Sequence, residues 1–227
     1  MIAPVKQLRK ADLEWLGTHH CKAHSHTYLE HYQCWLKEQP QDCPFVERVG
    51  FLDIEATNLA ASFGYVFSYA IKERGGPIIG RVLTPREIRT YKFDQNLMAE
   101  MCRNLRKFHR IIVYYGTDYK FDIPYLRTRA LKYRLDFPLY KEVYAQDAYA
   151  VVKAKLRLHR NRLETACQMF DINAKEHRLE PEIWCKALAG HKPSLEYIWE
   201  HNKEDVVSLE QLWDLLEPYT LKNKRSI

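Results

Sequence analysis

Apolar residues fall into short dense blocks in the middle of the chain and into longer, spaced stripes toward its end. Val49 to Ile54 is a compact apolar run, and Gly64 to Ile71 (GYVFSYAI) is rich in aromatic and β-branched residues. Ile78 to Leu83 follows the turn signal Gly75-Gly76-Pro77. These segments predict three strands with short connections, hence an antiparallel meander. From Asp94 to His109 the period changes, and Leu97, Met101, Leu105 and Phe108 recur at helical spacing. Arg110 to Tyr115 (RIIVYY) predicts a buried strand, and Val143 to Ala148 a fifth. Between them, Phe121 to Leu135 predicts a helix with Pro124 in its first turn, where proline is tolerated. Further helices are predicted over 147–157, 161–169 and 194–216, the last capped by Ser194. Strands first, then strands alternating with helices, give an α/β fold with a mixed five-stranded sheet flanked by helices.

Acidic residues interrupt this pattern at informative places. Asp53 and Glu55 sit two residues apart in the first strand (FLDIEAT), so they share a face. Like charges side by side repel, and buried carboxylates are costly unless paired or metal-bound. A divalent cation resolves both problems; taken alone, the pair also fits the solvated face of an edge strand. Asp122 falls at the start of the helix after the fourth strand, where an ordinary first-turn acid is also favoured by the helix dipole. On the last helix, Leu195, Ile198, Trp199, Asn202, Val206, Leu209, Trp213 and Leu216 form an apolar stripe. His201 and Asp205, four residues apart, lie together on its edge. Glu204 and Glu210 point elsewhere, toward solvent.

The chain has 227 residues, 46% hydrophobic and 28% charged, so it is globular rather than disordered. A formal charge of +6 is compatible with a polyanionic partner without requiring one. Met1 to Lys10 lacks an apolar signal-peptide core, and no apolar run approaches the roughly 18 residues of a membrane span. The expectation is a soluble intracellular (cytoplasmic) protein with reduced thiols.

The three acidic segments, in this order and these contexts, resemble the DEDD superfamily of 3′–5′ exonucleases, which have a ribonuclease H-like fold. FLDIEATNL is similar to their first motif, GTDYKFDIPYL to the second and HNKEDVVSL to the third. The stretch from NRLETACQMF to the third motif resembles the YprB-like branch. The resemblance covers about residues 49–218. It implies two Mg²⁺ or Mn²⁺ ions, with Asp53 shared between them, Glu55 and Asp205 on the water-activating ion, and Asp122 on the second. His201 would orient or deprotonate the water. The histidine subgroup usually has four residues between His and Asp and the tyrosine subgroup three, so this chain joins histidine identity to tyrosine-type spacing. The implied substrate is a single-stranded DNA or RNA end. A structure-selective endonuclease on the same fold, or a silent nucleic-acid-binding module, are the other readings. Lys153, Lys155, Arg157, His159, Arg160 and Arg162 could hold the strand or form a solvated face, and Tyr119 or Phe63 could stack on bases. Tyr114 and Tyr115 read as strand residues rather than stacking platforms.

Residues 1–48 read as a separate Cys/His-rich extension, set off by Pro40 and Pro44. They hold five of the ten histidines and three of the six cysteines. Cys21-x-x-His24 and His31-x-x-Cys34 form a symmetric set that could close a structural zinc site. His19, His20, His26 and Cys43 are equally available, and no standard finger spacing matches. Surface histidines with inert buried thiols are the other reading.

Overall fold

The computed structural model describes residues 10–38, 40, 43, 47–117, 120–172, 177–220 and 225–226; Tyr119 therefore lies outside the described residues. The chain divides into two compact units, Met1–Arg48 and Val49–Ile227. The first carries α1 (Lys10–Thr18) and α2 (Tyr32–Glu38). The second opens with β1 (Val49–Ala56), β2 (Val66–Glu73), β3 (Ile78–Val82), α3 (Pro85–Arg89) and α4 (Gln95–Leu105). It continues with β4 (Arg110–Val113), α5 (Asp122–Lys132), β5 (Tyr144–Asp147), α6 (Ala148–Lys155) and α7 (Leu163–Met169). It ends with α8 (Pro181–Leu188), α9 (Lys192–Leu216) and β6 (Arg225–Ser226).

The sheet order is β3-β2-β1-β4-β5-β6. The first three strands are antiparallel, β1, β4 and β5 are parallel, and β6 pairs antiparallel with β5. The five expected strands are thus all present in a mixed sheet, extended by the two-residue β6. β1 lies at the centre, hydrogen-bonded on both sides, which explains its buried run from Val49 to Leu52. Leu52, Ile54, Phe67, Tyr69 and Ile71 face a core built with α4 and α5. Val49, Phe51, Ala70 and Ile112 face the other side, against α6, α7 and α9.

Two local choices differ from the sequence reading. α9 starts at Lys192, with Pro193 in its first turn, and Ser194 lies inside that turn, its Oγ 2.9 Å from His191 Nδ1. α3 and α8 were not anticipated. Both start on proline at the first helical positions, and α3 has a Thr84/Glu87 capping box.

Asp94 ties the elements that aim the candidate site. It is fully buried and accepts bonds from the Val66 N–H at 2.9 Å, Arg129 Nε at 2.8 Å and the Tyr133 hydroxyl at 2.7 Å. One carboxylate thereby locks β2, the start of α4 and the body of α5. Removing the cation leaves a buried, uncompensated charge, which costs about 3–5 kcal/mol. Arg129→Leu is therefore expected to lower unfolding stability by about that amount in urea titrations; a loss below about 1 kcal/mol would contradict this role.

Candidate active site

Parallel pairing of β1 with β4 runs from Val49 to Phe51 and stops there. Asp53 and Glu55 lie beyond the last β4 partner, on the same face as Val49 and Phe51. They sit where β1 overhangs the carboxyl end of its neighbour, the edge at which open α/β sheets commonly bind ligands. Across β2, Glu55 is in register with Ser68 and Asp53 with Ala70. These small side chains let α9 approach the sheet. α9 then brings His201, Asn202 and Asp205 to the two acids.

Glu55, His201 and Asp205 offer ligand atoms that all lie within 4.8 Å of one another. His201 Nε2 is 3.3 Å from Glu55 Oε1 and 3.3 Å from Asp205 Oδ2. Its Nδ1 meets the His177 carbonyl oxygen, which can only accept, so Nδ1 carries a proton. Nε2 is the ring nitrogen turned toward the two acids. The backbone N–H and Nδ1 of His177 contact the Glu204 carboxylate, so Glu204 acts as an anchor rather than a solvated acid. Glu210 is likewise engaged, with Lys72 at 3.0 Å and the Gly75 N–H at 2.6 Å.

Asp53 is positioned by a relay. Ser68 Oγ donates to Asn202 Oδ1 at 2.8 Å, and Asn202 Nδ2 donates to Asp53 Oδ2 at 2.6 Å. Asn202 and Ser68 are both fully buried. Nothing in the sequence pattern singled them out, since Asn202 counts as one more member of the α9 stripe.

Asp122, at the start of α5, is only 4% exposed. Burial, and then the charges of Asp147 and Glu55, push its carboxyl up to about 8, partly offset by the N–H groups of Asp122 and Ile54. The Ile54 bond brings Asp122 alongside β1 between its two acids. Gly116 makes this approach possible, because a Cβ there would lie 2.2 Å from Asp122 Oδ2. The turn between β4 and α5 is held by Asp147, at the end of β5. Its carboxylate accepts from the Tyr115 N–H at 2.9 Å, the Thr117 hydroxyl at 3.0 Å and Lys120 Nζ at 2.7 Å. Asp147 is a second contributor absent from the sequence reading; its only signal was a strand-to-helix junction, where it also caps α6.

Tyr115 has φ +62°, a left-handed conformation, and is half exposed, in contrast to its expected place within a strand. With Tyr114, Tyr149, Asn161, Arg162 and Leu163 it lines a cavity of about 340 Å³. Lys120 Nζ lies 4.7 Å from the Tyr149 ring centroid. The basic residues between Lys153 and Arg162 are exposed, as is Phe63.

A family model of the RNase H superfamily matches residues 50–217, and the chain belongs to this superfamily. A family B DNA polymerase from the hyperthermophilic archaeon Pyrobaculum calidifontis has a similar structure. The TM-score is 0.61 at 20% identity over 79% of this chain, which spans 26% of the polymerase. That likeness shows the fold. No match was found among curated proteins. Family membership supports nuclease chemistry, a nucleic-acid substrate and a divalent cation. Among the described residues no helix is long and apolar enough to cross a membrane.

The donor set suits a hard cation: it is rich in carboxylates, and Asp122 is destabilised by neighbouring negative charge. Two outcomes follow. Asn202→Ala frees the Asp53 carboxylate and should weaken Mn²⁺ affinity by roughly 10–100-fold with the fold intact; unchanged affinity in calorimetry would contradict the relay. A carboxyl raised in the folded state favours folding while protonated and penalises it as pH rises toward 8. In chelator at pH 8, Asp122→Asn should therefore raise the melting temperature, and with Mn²⁺ restored the variant should lack activity; a lower temperature would contradict the repulsion.

Proposed function

We propose that this chain is a divalent-metal-dependent 3′–5′ exonuclease acting on single-stranded ends of DNA or RNA. The cluster of Glu55, His201 and Asp205 beside Asp53 and Asp122, on one edge of a ribonuclease H-like sheet, carries this reading. Asp53, Glu55, Asp122 and Asp205 would hold two Mg²⁺ or Mn²⁺ ions. Bound there, such ions neutralise charge at phosphorus and ease loss of a proton from water.

The chain's own groups do the rest. His201 Nε2 accepts the proton of the attacking water, while the His177 carbonyl keeps the ring turned so that this nitrogen faces the acids. Asn202 holds Asp53 in one orientation, so ligand geometry is set before substrate arrives. Histidine at tyrosine-type spacing is accommodated because one helical turn separates His201 from Asp205, and the ligand atoms of both lie within 4.8 Å of one on Glu55. Tyr115 and Tyr149 offer aromatic faces to a base, and Lys120 and Arg162 supply positive charge beside them for the backbone.

End-labelled single-stranded DNA and RNA, incubated with Mn²⁺, are expected to yield a ladder shortening from the 3′ end. Asp205→Ala or excess chelator should abolish it. His201→Ala should slow it by roughly 10²–10⁴-fold without eliminating it. Tyr115→Ala should raise KM more than it lowers kcat, by up to about 1–3 kcal/mol of lost stacking. Internal cuts would instead mark an endonuclease, and binding without cleavage a silent module.

A further inference from the structure

The chain's other cluster of metal-ligating side chains lies in the first unit, and the nuclease reading does not use it. Cys21, His24, His31 and Cys34 offer ligand atoms that all fall within 4.8 Å of one another. Cys34 Sγ is 3.4 Å from His24 Nδ1 and 3.4 Å from His31 Nδ1, and Cys21 Sγ is 3.9 Å from His24 Nδ1. A tetrahedral zinc with bonds of about 2.3 Å to sulfur and 2.0–2.1 Å to nitrogen sets sulfur and nitrogen about 3.6 Å apart. The observed spacings straddle that value.

The backbone builds this arrangement from two short pieces. A tight turn carries Cys21 and His24: the Cys21 N–H donates to the His26 carbonyl at 2.8 Å, and the Ser25 N–H to the Cys21 carbonyl at 3.1 Å. Ser25 takes a left-handed φ of +59° to close it. The second piece is the start of α2, where the Cys34 N–H donates to the His31 carbonyl at 2.9 Å. Glu38 joins the two, accepting from the Lys22 N–H at 3.1 Å and the Tyr28 hydroxyl at 2.8 Å.

The competing donors lie outside the cluster; His20 is exposed and pairs through its backbone with Thr27. His19 stacks on Trp15 with centroids 4.1 Å apart, and its Nδ1 is 3.0 Å from the Trp15 carbonyl oxygen. The Cys43 sulfur accepts from Trp35 Nε1 at 3.4 Å. His26 is exposed and its ring lies 5.7 Å from that of His31, near the cluster but outside it. Among the described residues, the buried hydrophobic cluster of this unit is Leu16, Cys21, Tyr28, Cys34, Trp35 and Cys43, of which half are thiols. So small a core needs a further constraint, and a metal closed by four side chains is a common one.

We propose that Cys21, His24, His31 and Cys34 bind one zinc ion in a closed structural site that holds the first unit together. Two thiolates and two imidazoles select zinc over the hard cations suited to the carboxylate site, so the chain segregates two kinds of metal by ligand softness. Binding requires both thiols to be deprotonated, and the ion exposes no open coordination position.

The test is metal analysis of the full chain after gel filtration in excess Mg²⁺. One zinc per chain is expected in the wild type and in His26→Ala, and a marked loss in His24→Ala and Cys34→Ser. Because the cysteine variant could fail to fold, a second measurement uses the wild type alone. Titration with an organomercurial should release zinc in step with modification of two thiols. Cobalt in place of zinc should show tetrahedral d–d bands with sulfur-to-metal charge transfer. A metal-free chain that gives no such cobalt spectrum overturns the proposal. So does a Cys21–Cys34 disulfide in the purified protein, or loss of zinc in His26→Ala equal to that in His24→Ala.

Discussion

Carboxylates repel one another, and this fold packs several of them at one edge of its sheet. Asp122 is buried with the charges of Asp147 and Glu55 against it, and its carboxyl is raised accordingly. Asp53 and Glu55 share a strand face, and Asp205 approaches Glu55 from α9. Such an arrangement is unfavourable on its own and persists because the surrounding structure imposes it. α9 packs along β1 and β2 through Val206, Leu209 and Trp213, and the Asp94–Arg129–Tyr133 network fixes α5. The strain is thus electrostatic, and a divalent cation is the natural way to relieve it.

The acids of this unit are handled in two ways. Asp94 and Asp147 contact a cationic side chain, Arg129 and Lys120 respectively, and serve as struts. Asp53 accepts from the amide of Asn202, and Glu55 and Asp205 face the Nε2 of His201. The struts hold the loop and helix that deliver Asp122. Asn202 and His201 fix the orientation of the acids that would bind a metal. Replacing a strut should therefore cost stability first, and replacing Asn202 or His201 should cost metal affinity first.

Much of this was legible in the sequence because periodicity does the positioning. Two acids two residues apart on a strand must share a face, and a histidine and an aspartate four apart on a helix must be neighbours. The central strands, the long final helix and the place of Asp122 followed from the same patterns. Asn202 escaped notice because a buried asparagine in an apolar stripe has no local signature; its meaning depends on Ser68 and Asp53, which are distant in sequence. Asp147 escaped because its partners, the Tyr115 and Thr117 amides, the Thr117 hydroxyl and Lys120, lie about 30 residues away in sequence and half of them are backbone groups. The exposed, left-handed Tyr115 escaped because RIIVYY reads as strand to its end, whereas the Asp147 carboxylate draws the chain out of the sheet after Val113. Glu204 and Glu210 looked solvated by helical geometry alone, yet a loop and a turn close over them.

If mutual carboxylate repulsion makes this edge of the sheet a cation site, crystals soaked in Mn²⁺ should show anomalous manganese density bounded by Asp53, Glu55 and Asp205, with Asp122 turned toward it. A position without anomalous signal at saturating Mn²⁺, the four carboxylates unmoved, would rule the cation site out.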